Sequence, residues 1–210
     1  MTNLPMINLL LRLMLVAAAS AAPAFAWPAE HNHCPASSAD DYYFPTGALN
    51  SKARTDEFER QWFSSQLAAM GEPSLSCGSR KDTTYRFIWL RSFDHPVAVR
   101  IVESREQFLL TAVELSGAGG YKPGHVLQRI ERVFAKSQIG QLQQALDSPA
   151  FWDRPTEDDR RGLDGSEWII EGSKNGNYHV VVRWTPSDGP VHDLGMRFLE
   201  LTGWRFERMY

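Results

Sequence analysis

The residues whose side chains could most readily take part in catalysis lie in one predicted β-hairpin, which carries Glu171, His179 and Arg183. A carboxylate beside an imidazole can raise the pKa of the ring and orient it for general acid–base catalysis. These three residues are therefore candidate catalytic groups of a hydrolase-like enzyme. Opposite charges across two strands also stabilise an exposed sheet face, and neither a nucleophile nor a further orienting group can be identified. We favour the structural interpretation, and hence a protein that is not an enzyme.

The pairing of this hairpin decides which side chains meet, because its strands, 166–172 and 177–184, flank an Asn-Gly turn that permits two registers. A two-residue loop would pair Lys174 with Asn177, and a three-residue loop would pair Ser173 with Asn177. The shorter loop places Trp168 opposite Arg183 and Glu171 opposite Val180. The longer loop separates charged from apolar residues by face and is the register we predict, with two charged pairs: Glu171 with His179, and Glu167 with Arg183.

Two aromatic residues of the hairpin, Trp168 and Tyr178, are candidate binding residues because exposed rings can stack on a sugar. Aromatic side chains at strand spacing opposite a helix usually belong to a core. We therefore expect Trp168 and Tyr178 to be buried.

One cluster near the amino terminus, His31, His33 and Cys34, contains ligand types that zinc and copper prefer. A stable site would need further ligands, and Cys34 is better used in a disulfide with Cys77, the only other cysteine. We predict that disulfide, no metal at His31 or His33, and no cofactor. Metal handling by this cluster is a second alternative function.

Residues 1–26 have the features of an export signal: Arg12, an apolar run, and Ala24-Phe25-Ala26 at a cleavage position. Either Met1 or Met6 can be the start. An oxidising compartment is consistent with a disulfide. We therefore predict a periplasmic or secreted protein without a transmembrane segment after signal removal.

Composition excludes one class of partner. The 210 residues carry a formal net charge of −3 with both signs interspersed, which does not favour nucleic acid. Hydrophobic residues make up 43% of the chain, enough to form a core.

The elements that would position these residues follow an α+β pattern. We predict an extended arm over 27–54 and a single domain over 55–210, with an antiparallel sheet of about five or six strands against two or three helices. Residues 125–134 could be a helix or a strand, and we choose a strand. The other elements expected are helix 55–70, strands 83–91, 96–104 and 107–116, helix 137–147, the hairpin, and a helix from 190 to 203. Gly117, Gly119 and Gly120 are expected to form a turn after the third strand, not a phosphate cradle.

A pattern of residues between about 126 and 203 resembles a group of exported bacterial proteins without an assigned biochemical activity. The resemblance implies that the hairpin is a shared feature and supports a strand before the 137–147 helix, but it implies no catalytic residues. The matching positions are Phe151-Trp152-x-x-Pro155, Asp164-Gly165-x-x-Trp168-x-x-Glu171, Tyr178-His179-x-x-x-Arg183-Trp184-x-Pro186 and Leu194-Gly195.

Taken together, these features predict an exported, non-enzymatic binding, inhibitor or envelope-associated protein, whose partner is an unknown protein or envelope component. The two classes differ in the surface they require. A hydrolase predicts a concave pocket lined by groups with shifted pKa values, and a binding protein predicts a flat or convex exposed patch.

Overall fold

One antiparallel sheet organises the chain in the computed structural model, which describes residues 42–77, 82–105 and 107–210. The elements in chain order are α1 (Ala53–Met70), β1 (Thr84–Arg91), β2 (Val97–Ser104), β3 (Gln107–Leu115), β4 (Val126–Ala135), α2 (Lys136–Leu146), α3 (Pro149–Trp152), β5 (Ser166–Lys174), β6 (Asn177–Trp184) and α4 (Gly189–Thr202). The strand order is β4-β3-β2-β1-β5-β6, with every neighbouring pair antiparallel. The predicted α+β class and antiparallel sheet are confirmed, with six strands where about five or six were expected. The described residues form four helices and not two or three, because the single turn α3 is an additional one.

The sheet is covered on both faces because its strands alternate two apolar sets. On one face, Tyr85, Phe87 and Trp89 pack with α2, α3 and α4; we call it the α2–α4 face. On the other, Ile88 and Leu90 pack with α1 and with the buried residues Phe44 and Leu49 of the preceding segment; we call it the α1 face. Seven of the eight residues of β1 are therefore buried.

The ambiguous segment 125–134 is a strand, as predicted, and it forms an outer edge of the sheet. Helix α2 (Lys136–Leu146) follows directly, with Ala135 as its N-cap, so it begins one residue before the expected helix 137–147. The Gln138 side chain accepts a hydrogen bond from the Ala135 N–H at 2.7 Å, so the glutamine satisfies one of the main-chain donors at the start of α2.

The register predicted for the hairpin was wrong. Lys174 pairs with Asn177, so the loop has two residues, Asn175 and Gly176, and both have positive φ. Two consecutive left-handed residues form the turn whose twist matches the flanking strands. The sequence argument assumed that one face of the hairpin was solvated, whereas β5 lies inside the sheet and is covered on both faces.

Candidate functional site

The structure separates the proposed catalytic pair. Glu171 lies opposite Val180 on the α1 face, and His179 lies opposite Gly172 on the α2–α4 face. Side chains on opposite faces of a sheet cannot share a proton directly. The predicted Glu171–His179 pair is therefore not formed, because a shift of one residue in register moves every side chain to the other face.

Glu171 instead belongs to a buried ionic network on the α1 face. Its Oε2 accepts a hydrogen bond from Arg86 Nε at 2.7 Å, and its Oε1 accepts one from the Tyr178 hydroxyl at 2.9 Å. The side chains of Arg86 and Glu171 are fully buried. Burial, followed by the Glu171 carboxylate, raises the pKa of Tyr178 well above its ordinary value, so the phenol keeps its proton and donates it.

The same network continues across the sheet toward β3. Glu72, just after α1, accepts a hydrogen bond from Arg100 Nε at 2.7 Å and lies 3.4 Å from Arg86 Nη1. Arg86 Nη1 also donates to the main-chain oxygen of Pro73 at 2.7 Å, and Arg100 Nη2 lies 3.4 Å from Thr111 Oγ1. Two guanidinium groups thus face two carboxylates, and each strand from β6 to β3 contributes a side chain. These charges are committed to one another and join the strands to the end of α1.

A second buried acid, Glu167, lacks such partners. It lies opposite Trp184 and Leu90, not Arg183, and is 4% exposed. Its Oε2 has no hydrogen-bond partner among the described residues. Burial, and then the Glu59 carboxylate, raise the pKa of Glu167 to about 7.

The other predicted site residues contribute to packing. Trp168 is buried against Phe87 and Trp89, and its indole N–H donates to the main-chain oxygen of Tyr210, so its assignment to the core is confirmed. Arg183 donates to the main-chain oxygens of 155 and 156 at 2.9 and 2.8 Å.

His179 is also held within an aromatic environment. Its ring centroid lies 5.2 Å from that of Phe151 and 6.1 Å from that of Trp152. Burial lowers the pKa of His179, the reverse of the shift that a neighbouring carboxylate would cause.

Two surface depressions in the described part of the chain lie away from all these groups. One is lined by 137–142 with Arg197, Glu200 and Leu201, and the other by Asp82, Thr83 and 103–105. Neither contains Glu167, Glu171 or His179. The described residues also hold no cluster of three His, Cys, Asp or Glu side chains that could bind a metal, while His31, His33 and Cys34 lie outside those residues. The Cys34–Cys77 disulfide stays a prediction because Cys34 lies outside the described residues.

The most unusual surface feature is a group of exposed rings at the end of the sheet where β1, β2 and β3 meet. Phe58, Phe93 and Tyr121 are 62%, 56% and 66% exposed. Phe58 lies 5.8 Å from the half-buried Trp62, and Phe93 lies 6.2 Å from Tyr121, measured between ring centroids. We call these four residues the aromatic patch.

Hydrogen bonds connect the two halves of the aromatic patch. The Trp62 indole N–H donates to the main-chain oxygen of Gly119 at 2.6 Å, and Gln66 Nε2 donates to that of Tyr121 at 3.1 Å. The Gly119 N–H donates to the main-chain oxygen of Asp94 at 3.1 Å, which brings the Phe93 turn to the same loop. Helix α1 therefore fixes the loop that carries Tyr121.

The glycines of that loop allow close approach between main-chain segments. A Cβ on Gly119 would lie 2.6 Å from the main-chain nitrogen of Arg91, and one on Gly117 would lie 2.0 Å from the main-chain oxygen of Lys122. Only glycine fits such contacts. The predicted turn is confirmed, and its glycines allow the loop that carries Tyr121 to pack closely against the neighbouring main chain.

Sequence reasoning did not identify the aromatic patch as a site. Phe58 lies at helical spacing from Trp62, yet α1 buries Asp56, Glu59, Arg60 and Phe63 and leaves Phe58 outside. A usable signal was present, since Phe93 stands in a short polar turn and Tyr121 in a glycine-rich loop, where neither ring can face a core.

Comparison with known proteins finds no family model that matches this chain and no matching curated protein. No helix in the described ranges is both long and apolar enough to span a bilayer.

Proposed function

We propose that this protein is an exported, non-enzymatic binding protein that recognises a protein partner through the aromatic patch. The observation that carries the proposal is the exposure of Phe58, Phe93 and Tyr121 on a loop and helix that hydrogen bonds hold together. Several large apolar side chains exposed in one region are unusual on a soluble protein and are typical of an interaction site.

The energetics of the aromatic patch suit association. Burial of apolar surface contributes roughly 25 cal/mol per Å², and aromatic residues dominate the binding energy of many interfaces. A surface that is already held in place loses little conformational entropy when it binds. The contacts of Gly119 and Tyr121 with α1 supply this preorganisation.

The surroundings of the aromatic patch favour a protein partner. Asp94 pairs with Arg208 at 2.9 Å, and His95 lies 3.3 Å from Glu114, so groups of both signs adjoin Phe93. An apolar centre with a polar rim is the usual anatomy of a protein interface, whereas small-molecule sites are concave. The predicted export signal at 1–26 implies that the partner is located in the envelope or the medium.

A photo-crosslinking experiment tests this function. A benzophenone amino acid placed at Tyr121 is expected to form a discrete, protease-sensitive adduct when the protein is incubated with envelope and medium fractions of the source cells. The same group at Leu163, which is 96% exposed and outside the aromatic patch, serves as the matched control and should form no such adduct. Excess unlabelled wild type should suppress the adduct, and excess Phe93→Ala should not.

Three results would overturn the proposal. They are absence of an adduct at Tyr121, equal labelling from Leu163, and competition by Phe93→Ala as strong as that by the wild type. A protease-resistant adduct would contradict the choice of a protein partner.

A further inference from the structure

The two edges of the sheet differ in how they are covered. At β6, the N–H of Val182 donates to the main-chain oxygen of Thr156 at 2.7 Å, and Arg183 holds the same segment in place. At β4, eight of the ten residues are exposed, and no described segment pairs with the outer side of the strand. Leu127 and Val133 on this strand are 47% and 57% exposed. A long open edge is a template for pairing with another strand.

The sequence of β4 restricts how it could pair with itself. Two copies related by a two-fold axis perpendicular to the sheet must pair residues of the same face, so the axis passes through one residue position. An axis at Arg129, at Glu131 or at Arg132 would place that charged residue opposite its own copy, and like charges opposite each other are destabilising. Axes nearer the ends of the strand shorten the paired stretch.

An axis at Ile130 has the opposite consequence. It places Arg129 of each copy opposite Glu131 of the other, which forms two attractive pairs on the α1 face. The regular ladder then runs from Gln128 to Arg132, and Val133 of each copy lies toward the end of the other strand, where the pairing of β4 with β3 skips Leu127 at an irregularity. Gln128 then faces Arg132, without a like-charge contact.

We propose that two copies of this chain pair through β4, antiparallel and centred on Ile130, so that their sheets join into one. The charges that exclude the neighbouring registers are those that stabilise this one. This surface is separate from the aromatic patch, so the dimer stands independently of the proposed partner.

The state of the charged side chains supports this register. Glu131 makes no ion pair with any described residue and is available to a second copy. The Arg129 guanidinium donates to the main-chain oxygen of Met70 at the end of α1, and that of Arg132 donates to Leu201 near the end of α4. Both arginines are therefore held near the edge, where Arg129 retains N–H groups for Glu131 of the second copy.

A charge-exchange experiment on the full chain tests the dimer. Glu131→Arg alone would place arginine opposite Arg129, and Arg129→Glu alone would place glutamate opposite Glu131, so each variant should dissociate. A mixture of the two variants restores both attractive pairs in a heterodimer. Sedimentation equilibrium should show a wild-type dimer, a dissociation constant raised at least about tenfold in each variant, and recovery in the mixture.

The mixture also controls for folding, because a misfolded variant could not be rescued by its counterpart. Glu207→Arg reverses the charge of an exposed acid away from β4 and should dimerise with the same dissociation constant as the wild type. An independent check is Ile130→Cys, which should form an intermolecular disulfide, whereas Gln128→Cys should not, since only the residue on the axis meets its own copy. A monomeric wild type, failure of the mixture to associate, or equal crosslinking from Gln128→Cys would overturn the proposal.

Discussion

Two regions of the molecule differ in where they place polar and apolar side chains: the interior of the α1 face and the surface at the aromatic patch. Inside, the charged side chains of Arg86, Glu72 and Glu171 are buried and paired with one another. Outside, Phe93 and Tyr121 are exposed, and their ring centroids lie 6.2 Å apart. The buried charges pair with one another and hold the strands together, whereas the exposed rings are free to contact a partner. Glu171, a candidate catalytic group in the sequence, therefore belongs to the buried network, and the surface carries the proposed function.

A finer comparison within β5 shows what pairing does to a buried carboxylate. Glu171 and Glu167 share a strand and a face, and both are buried. Glu171 receives hydrogen bonds from Arg86 and Tyr178, whereas Glu167 Oε2 receives none from the described residues. Removing a partner of Glu171 should therefore lower the free energy of unfolding, whereas removing the charge of Glu167 should raise it.

The largest expected effect is that of Arg86→Met. This change leaves Glu171 and Glu72 buried without their shared cation, which should lower the free energy of unfolding by about 3–5 kcal/mol. Urea denaturation measures this loss, with Arg205→Met at an exposed position as the control. The double variant Arg86→Met/Glu171→Leu should recover part of the loss, because it removes an unpaired buried charge. A cost below about 1 kcal/mol for Arg86→Met would show that the network contributes little.

The second prediction concerns the pH dependence of stability at Glu167. The pKa of Glu167 is raised from 4.5 to about 7. Between pH 4.5 and 7, the folded protein therefore keeps this proton while the unfolded chain has lost it. Stability due to this group is thus highest below pH 4.5 and falls as the pH rises toward 7.

Glu167→Gln removes that dependence. The variant should be more stable than the wild type by about 2–3 kcal/mol at pH 8, with the difference vanishing near pH 4. Thermal or urea unfolding across this pH range checks it, and Glu207→Gln at an exposed position should show no comparable trend. A wild type more stable than Glu167→Gln at pH 8 would reverse the sign and contradict the account.

The smallest effect distinguishes the two faces of the hairpin. Burial beside Phe151 and Trp152 lowers the pKa of His179, and Glu171 lies on the other face. An NMR titration of the His179 ring should give a pKa below the ordinary 6.5 in the wild type and essentially the same value in Glu171→Gln. A pKa above 6.5 that falls in the variant would instead restore the catalytic pair.

Much of the fold was predictable because alternation of apolar residues is a local signal. Tyr85, Phe87 and Trp89 indicate a strand by their period of two, and the Asn175-Gly176 turn indicates a hairpin. The register of that hairpin was not predictable from the same signal. It depends on whether a neighbouring strand covers the second face, and β1 and β5 are far apart in the chain.

The candidate site was harder to predict, for a related reason. Periodicity finds residues that face a core, and it is silent about rings that face solvent. Trp62 and Gln66 contact Gly119 and Tyr121, more than fifty residues later in the chain, so the aromatic patch exists only after the fold has formed.

The central claim is that the rings of the aromatic patch serve binding and not stability, and the double variant Phe93→Ala/Tyr121→Ala tests it most directly. Its free energy of unfolding and its competition for the crosslinked partner would be measured on the same preparation. We expect stability within about 0.5 kcal/mol of the wild type, as for exposed residues, together with loss of competition. A large loss of stability, or competition equal to that of the wild type, would contradict the claim.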